Sequence, residues 1–375
     1  MKRSITIALL LATAGAAQAG PPASNYGLAW EETFNGTTLD TSRWNYRTDV
    51  KKLSAQRPAN VAIVNNQLSL LMKRESYAGK EFTGGGIVTK QVFGYGYYEV
   101  TSRTTNNDGW HNSFWMMRDD GSDTFGANRY LEIDSAEIDT QRPSTISAGL
   151  MIWNGTAGEG SLIKGDRCPN PSPSFDSSAA FHTYGVDWKE GSVDFYIDGA
   201  KYCTKAYPTN TYRQDPINIW LTALGYEAPV TVGGTPQLYD NVRFYKRDQY
   251  VLANYFGYDE AGSGWAASTV AGFGLMPQRY SCEAGASATF APGFQQAGAY
   301  RVYLWKTVQS NSDTATAVAI RSGTTTATRT VNTASGASGW VDLGEHSFGV
   351  GASGSVRATR GNGCLRASAV KFVRV

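Results

Sequence analysis

Four carboxylates crowd into the stretch RYLEIDSAEID, residues 129–139: Glu132, Asp134, Glu137 and Asp139. Like charges packed this closely repel, so at least one of the cluster is expected to keep its proton near neutral pH. That is the condition for two carboxyl groups with separate tasks, one giving a proton and one attacking a carbon. Cleavage of a sugar bond with retention uses such a pair about 5–5.5 Å apart. A calcium site or a solvated acidic strand would use the same residue types, and spacing alone leaves both open.

The interval from Glu132 to Glu137 is odd, which restricts the element that can carry them. On a helix, successive residues turn by about 100°, and Glu132, Asp134 and Glu137 diverge. On a regular strand, Glu132 and Asp134 share a face while Glu137 points away. One extra residue, a β-bulge at Ser135–Ala136, would swing Glu137 back. Three carboxyl groups then line one face, and Ile133 and its neighbours enter the core from the other.

The chain around this stretch reads as strand after strand. GGGIVTK, YGYYEVTSR, TISAGLMIW, FHTYGVDW, VDFYIDG and INIWLTAL are short, β-branched or aromatic, and bounded by turn formers. Helical periodicity is scarce, so the fold class is all-β. Near Arg247 the texture changes to Ala, Ser, Thr and Gly, with strands such as YRVYLW and AVKFVRV. At 375 residues the chain can hold two domains. The division expected is 20–247 for a larger β domain and 248–375 for a smaller one of ordinary domain size.

Composition narrows the partners. A net charge of +2 without any block of like charge argues against nucleic acid and against a polybasic membrane contact. The 10 Trp, 21 Tyr and 41 Gly suit strands, tight turns and sugar-stacking surfaces. Residues 1–19 read as a signal peptide: Lys2 and Arg3, an apolar run from Ile5 to Ala17, and Ala17-Gln18-Ala19 before Gly20. The run is too short to span a membrane. A secreted or periplasmic protein follows, with cleavage near Ala19 and no membrane insertion. In that compartment the 4 cysteines can pair. Cys168 with Cys203, and Cys282 with Cys364, is the simplest of the possible connectivities.

EIDSAE fits the Glu-x-Asp-x-x-Glu signature of family-16 glycoside hydrolases, in the bulged form of laminarinases, agarases, porphyranases and carrageenases. The resemblance extends over Leu28 to Arg247. EETFNGTTLDTSRWN, NVAIVNNQLSLLMKRE, GGGIVTKQVFGYGYYEVTSR, WHNSFWMM, FHTYGVDWKEGSVDFYIDG, PINIWLTALG and LYDNVRFYKR follow in family order. It implies a jelly-roll sandwich of two curved antiparallel sheets with a concave cleft, and an endo-acting hydrolase of β-linked galactan or β-glucan. It carries Glu132 over as nucleophile, Glu137 as acid/base and Asp134 as the group between them. Trp110 and Trp115 stand in the strand that lines the family's cleft, with one of the two expected there. Asp240 matches a position that often helps hold a structural calcium on the far side. No cofactor is required.

Departures from the family pattern are specific. Leu131 replaces the Gly that often precedes the first catalytic Glu. ISAGLMIW lacks the His that many bulged members carry on the next strand, so one acid/base partner is missing or replaced. His111 stands where glucanases commonly have Pro and is a candidate for substrate contact. WHNSFWMM is slightly closer to the galactan-cutting members. Arg118 and Arg129 are placed to meet an anionic sugar or to form ion pairs, and the loops 47–57 and 119–129 are expected to set specificity.

After the junction, GSGWAAS, ATFAPGFQQAGAYRVYLWKT, GWVDLGEHSF and ASAVKFVRV resemble the golvesin C-terminal module. That implies a β-sandwich accessory domain with Trp265, Trp305 and Trp340 as candidates for glycan contact or core packing. The expected partner is a polysaccharide met by a monomer. The rival reading is a lectin-like sandwich without catalysis, and a lyase would need a Tyr/His or Lys/Arg set.

Overall fold

The computed structural model describes residues 19–122, 129–155 and 162–375. Residues 1–18, which carry most of the targeting segment, and part of the 119–129 loop lie outside the described residues.

Two antiparallel sheets face each other over a shared core. One runs in the order Ala200–Ala206, Ser192–Ile197, His182–Lys189, Gly96–Arg103, Gln237–Lys246, Gln67–Leu70, Val61–Val64, with Gly27–Glu32 also on Gln237–Lys246. The other runs Leu162–Arg167, Ser147–Trp153, Leu131–Asp139, Trp110–Met117, Asn218–Gly225, Lys80–Thr89 and then two short strands, of which Ser54–Gln56 is parallel to its neighbour. This is the expected jelly-roll sandwich.

Period-2 alternation explains which side chains fill the interior. Phe114 and Met116, Ile133 and Ile138, Leu150 and Ile152, and Ile219 and Leu221 point inward and are essentially inaccessible. The alternate positions Trp115, Glu132, Ser147, Trp153, Trp220 and Thr222 line the concave outer face. The disulfide Cys168–Cys203, with its Cα atoms 5.9 Å apart, joins the edge of one sheet to the edge of the other.

Beyond Lys246 the chain changes partners. Gln249–Leu252 pairs with Ala369–Arg374, which continues to Gly298–Lys306 and Gly339–Phe348. A second sheet contains Ser287–Phe290, Gly354–Thr359 and Thr316–Ser322. Val302, Leu304, Ile320, Leu343, Val356 and Phe372 form a core of their own. Cys282 pairs with Cys364 here, so both disulfides follow the simplest connectivity.

This second unit packs firmly on the first. Phe273, Trp305 and Trp340 cluster with Tyr250 and with Tyr95 of the larger sandwich. Glu190 accepts hydrogen bonds from Trp340 Nε1 at 3.0 Å, Lys371 Nζ at 2.8 Å and Tyr250 Oη at 3.2 Å. Trp305 and Trp340, both partly buried, therefore serve this contact. Trp265 is partly buried against the core of the small unit.

Candidate active site

The bulge is where the residues demand it. Against the neighbouring strand, Asp134 pairs with Gly149 and Glu137 with Ser147, so three steps on one strand match two on the other. Glu132, Asp134, Glu137 and Asp139 consequently share the concave face. Asp134 is fully buried between the glutamates. They sit in a cleft of about 890 Å³ that runs from Arg167 and Trp153 past Trp115 and Trp220 to Arg47 and Lys52.

Trp110 lies elsewhere, which corrects its assignment as a substrate contact. Trp110 and Trp115 are also separated by an odd interval, but their strand keeps regular register with Asn218–Gly225. No bulge rescues Trp110, so it turns inward, is inaccessible and donates from Nε1 to the Thr231 carbonyl at 2.8 Å. Trp115 alone of the pair reaches the cleft. It stacks on Trp220 with ring centroids 4.4 Å apart and donates from Nε1 to Thr222 Oγ1. Arg47, paired with Asp49 and 5.1 Å above the Trp220 ring, completes this platform.

His111 lines the cleft but spends both ring nitrogens on carboxylates. Nδ1 is 2.8 Å from Asp139 Oδ1 and Nε2 is 3.2 Å from Glu137 Oε1. A histidine contact to Glu137 thus comes from the strand on the other side, Trp110–Met117. ISAGLMIW contributes instead Trp153, whose Nε1 donates to Glu132 Oε2 at 2.6 Å. Arg167, which the sequence did not single out, places Nη1 2.5 Å from Glu137 Oε2, 2.7 Å from Ser147 Oγ and 3.4 Å from Asp134 Oδ2.

These contacts sort the protons. Burial and the charge of Glu137 push Glu132 up to about 7, although the Trp153 bond favours its ionised form. Burial, with both glutamates nearby, raises Asp134 well above the usual carboxylate range, and it stands as a neutral acid able to donate to Glu132. Burial works the same way on Glu137, but the His111 hydrogen bond and charge and the Arg167 guanidinium overcome it and hold Glu137 low. Burial would lower His111, yet its bonds to Asp139 and Glu137 carry it to about 9. These surroundings favour the carboxylate of Glu137 beside a protonated imidazole and favour the acid form on the Glu132–Asp134 side. Such a cluster can pass a proton and present a carboxylate to an electrophilic carbon.

Arg129 lies on the cleft wall paired with Asp119. Arg118 points away, to Tyr255 Oη at 3.3 Å. Asp240 is half-buried on the opposite sheet, 3.5 Å from the Gln67 amide. Among the described residues no group of three or more His, Cys, Asp or Glu is arranged to hold a metal ion.

Comparison with known proteins gives consistent matches. The profile "Glycosyl hydrolases family 16" matches residues 48–236, and "Golvesin C-terminal domain" matches 260–374. A glucan endo-1,3-beta-glucosidase of Cryptopygus antarcticus is 28% identical over 259 residues, covering 64% of this chain and 88% of its own. The kappa-carrageenase of Pseudoalteromonas carrageenovora is 26% identical over 267 residues, covering 63% and 66%. The catalytic domain of an endo-1,3-beta-glucanase (laminarinase) from Thermotoga petrophila RKU-1 aligns with a TM-score of 0.48 at 20% identity, over 59% of this chain and 98% of that one.

Proposed function

The chain belongs to family 16 of the glycosyl hydrolases, and on that premise we propose that it is a secreted, endo-acting, retaining β-glycanase working by double displacement. As a glycoside hydrolase it acts on β-linked glycan; the finer reading is a β-1,3- or β-1,4-linked polysaccharide, either a galactan of the agar or porphyran kind or a β-glucan such as laminarin. The relatives named for glucan and for carrageenan cleavage support that range. Export is supported by the basic start, apolar run and small-residue site of residues 1–19.

The observation that carries the mechanism is the gathering of Glu132, Asp134 and Glu137 on one face by a single bulge. Glu132, oriented by Trp153, attacks the anomeric carbon as Glu137 protonates the leaving oxygen. The bond to the aglycone breaks and a glycosyl ester forms on Glu132. Water, deprotonated by Glu137, then attacks the same carbon, and Glu132 leaves as carboxylate. Asp134 donates to Glu132 whenever it is ionised. The Trp115 face stacks a sugar ring through its C–H patch.

Reducing-end release is measured on laminarin, mixed-linkage glucan, agarose, porphyran and carrageenan, and proton NMR identifies the first anomer formed. Release with the β-anomer first is expected. An inverted first product would rule out double displacement, and no release from any of the five would favour a glycan-binding protein without catalysis.

A further inference from the structure

Arg167 ends the strand Leu162–Arg167, at the edge of the described sheet and largely exposed. Its backbone is nonetheless pinned: Cys168 is bonded to Cys203, and Asp166 pairs with Lys205 at 2.8 Å. From that anchored rim the side chain, still 44% exposed, reaches onto Glu137. His111, the other cation on Glu137, is 15% exposed and tied behind by Asp139. His111 is enclosed between two carboxylates, whereas Arg167 is held at its tip alone, by Glu137, Ser147 and, at 3.4 Å, Asp134, with solvent beside it.

Glu137 is faced by His111 from the strand Trp110–Met117, by Arg167 and Ser147 from the far side, and by Asp134 and Glu132 along its own strand, with Asp139 behind the imidazole. Two cations favour the carboxylate, whereas a proton donor must start as the acid. The side chain that can leave is Arg167, and Ser147 beneath it is a surface on which a sugar hydroxyl can land.

We propose that Arg167 is a positioning residue for Glu137: it rests on the carboxylate in the free protein and is drawn off by the sugar unit that docks over Ser147, so that substrate entry lets Glu137 take a proton from solvent. The guanidinium keeps its own proton and donates to a sugar oxygen instead. This rests on Glu137 being the acid of the reaction.

The test follows the Glu137 carboxyl by ¹³C NMR in glutamate-labelled protein, assigned by its loss in Glu137→Gln. Four states are titrated: wild type and Arg167→Gln, each free and saturated with the oligosaccharides the protein releases from a polysaccharide it cleaves. In free Arg167→Gln the Glu137 midpoint is expected at least about one unit above wild type, the usual effect of losing an adjacent opposite charge. Oligosaccharide should raise wild type by a similar amount and Arg167→Gln hardly at all. Arg167→Lys, which keeps the charge, should stay near wild type. An unchanged midpoint in free Arg167→Gln overturns the proposal, as does an equal rise on oligosaccharide binding in both proteins. Turnover by Glu137→Gln is scored separately: its survival would refute Glu137 as the acid while leaving the resting contact to be read from the free-state titration.

Discussion

At the scale of residues, the cluster divides labour by environment. Glu132 and Glu137 are chemically identical, yet Glu132 is met by an indole N–H and Glu137 by an imidazolium and a guanidinium. Replacing either by Gln keeps shape and removes charge or proton. Each variant is expected to lose about 10²–10⁴ in kcat with an unchanged near-ultraviolet spectrum; a loss below about tenfold in both would contradict the roles given to them. His111 also makes a stability prediction. Its pKa rises from 6.5 to about 9 on folding, so the native state binds this proton more tightly than the unfolded chain. The contribution is full below about 6.5 and disappears as pH climbs through about 9, at most about 3 kcal/mol. Urea unfolding of wild type should therefore weaken across that window, and His111→Gln should show a flatter slope there.

At the scale of elements, parity decides what faces the cleft. Deleting Ser135 or Ala136 shortens the interval to four, which a regular strand satisfies, so Glu137 should keep the concave face without the bulge. Thermal melting should change little and turnover should persist at a reduced level. An inactive deletion variant with a sharply lower melting temperature would show that the bulge does more than restore parity. The two tryptophans of WHNSFW give the complementary contrast. Trp115→Ala should raise KM on polysaccharide by about tenfold, about 1.4 kcal/mol of binding, while stability falls only by the lost Trp220 stack, about 0.5–1.5 kcal/mol. Trp110→Ala should leave KM alone and cost about 3–5 kcal/mol, the price of a buried cavity. Chemical denaturation together with Michaelis curves separates the two outcomes, and reversed effects would mean that the faces are assigned the wrong way round.

At the scale of the molecule, the small unit is held by aromatic packing and by three donors on Glu190. A chain ending at Arg247 would leave Tyr95 uncovered and Glu190 without those donors. It is expected to cleave soluble oligosaccharide, because the cleft residues all precede Arg247. Its melting temperature should fall by roughly 5–10 °C, corresponding to a few kcal/mol for a sandwich of this size. Calorimetry checks the second point, and inactivity of the shortened chain would show that the small unit completes the catalytic fold.

Much of this protein is determined by sequence alone, because local rules act on neighbours. Short β-branched or aromatic runs bounded by turn formers mark the strands. The odd interval between Glu132 and Glu137 demanded a bulge, and Cys order suggested the disulfides. Trp153 is legible too, since it shares the parity of Ser147 on ISAGLMIW. Which of Trp110 and Trp115 meets the cleft follows from the same parity, since Trp115 shares the face of His111 and Trp110 does not. Other features belong to tertiary structure. His111 meets Glu137 only because their strands pair in one register. Arg167 reaches the same carboxylate only because a strand 30 residues along the chain folds back onto the sheet. Trp305 and Trp340 become an interface only when Glu190 and Tyr95 arrive from the other sandwich. No local pattern encodes these meetings, because the energy that selects them comes from burying whole sheets against one another.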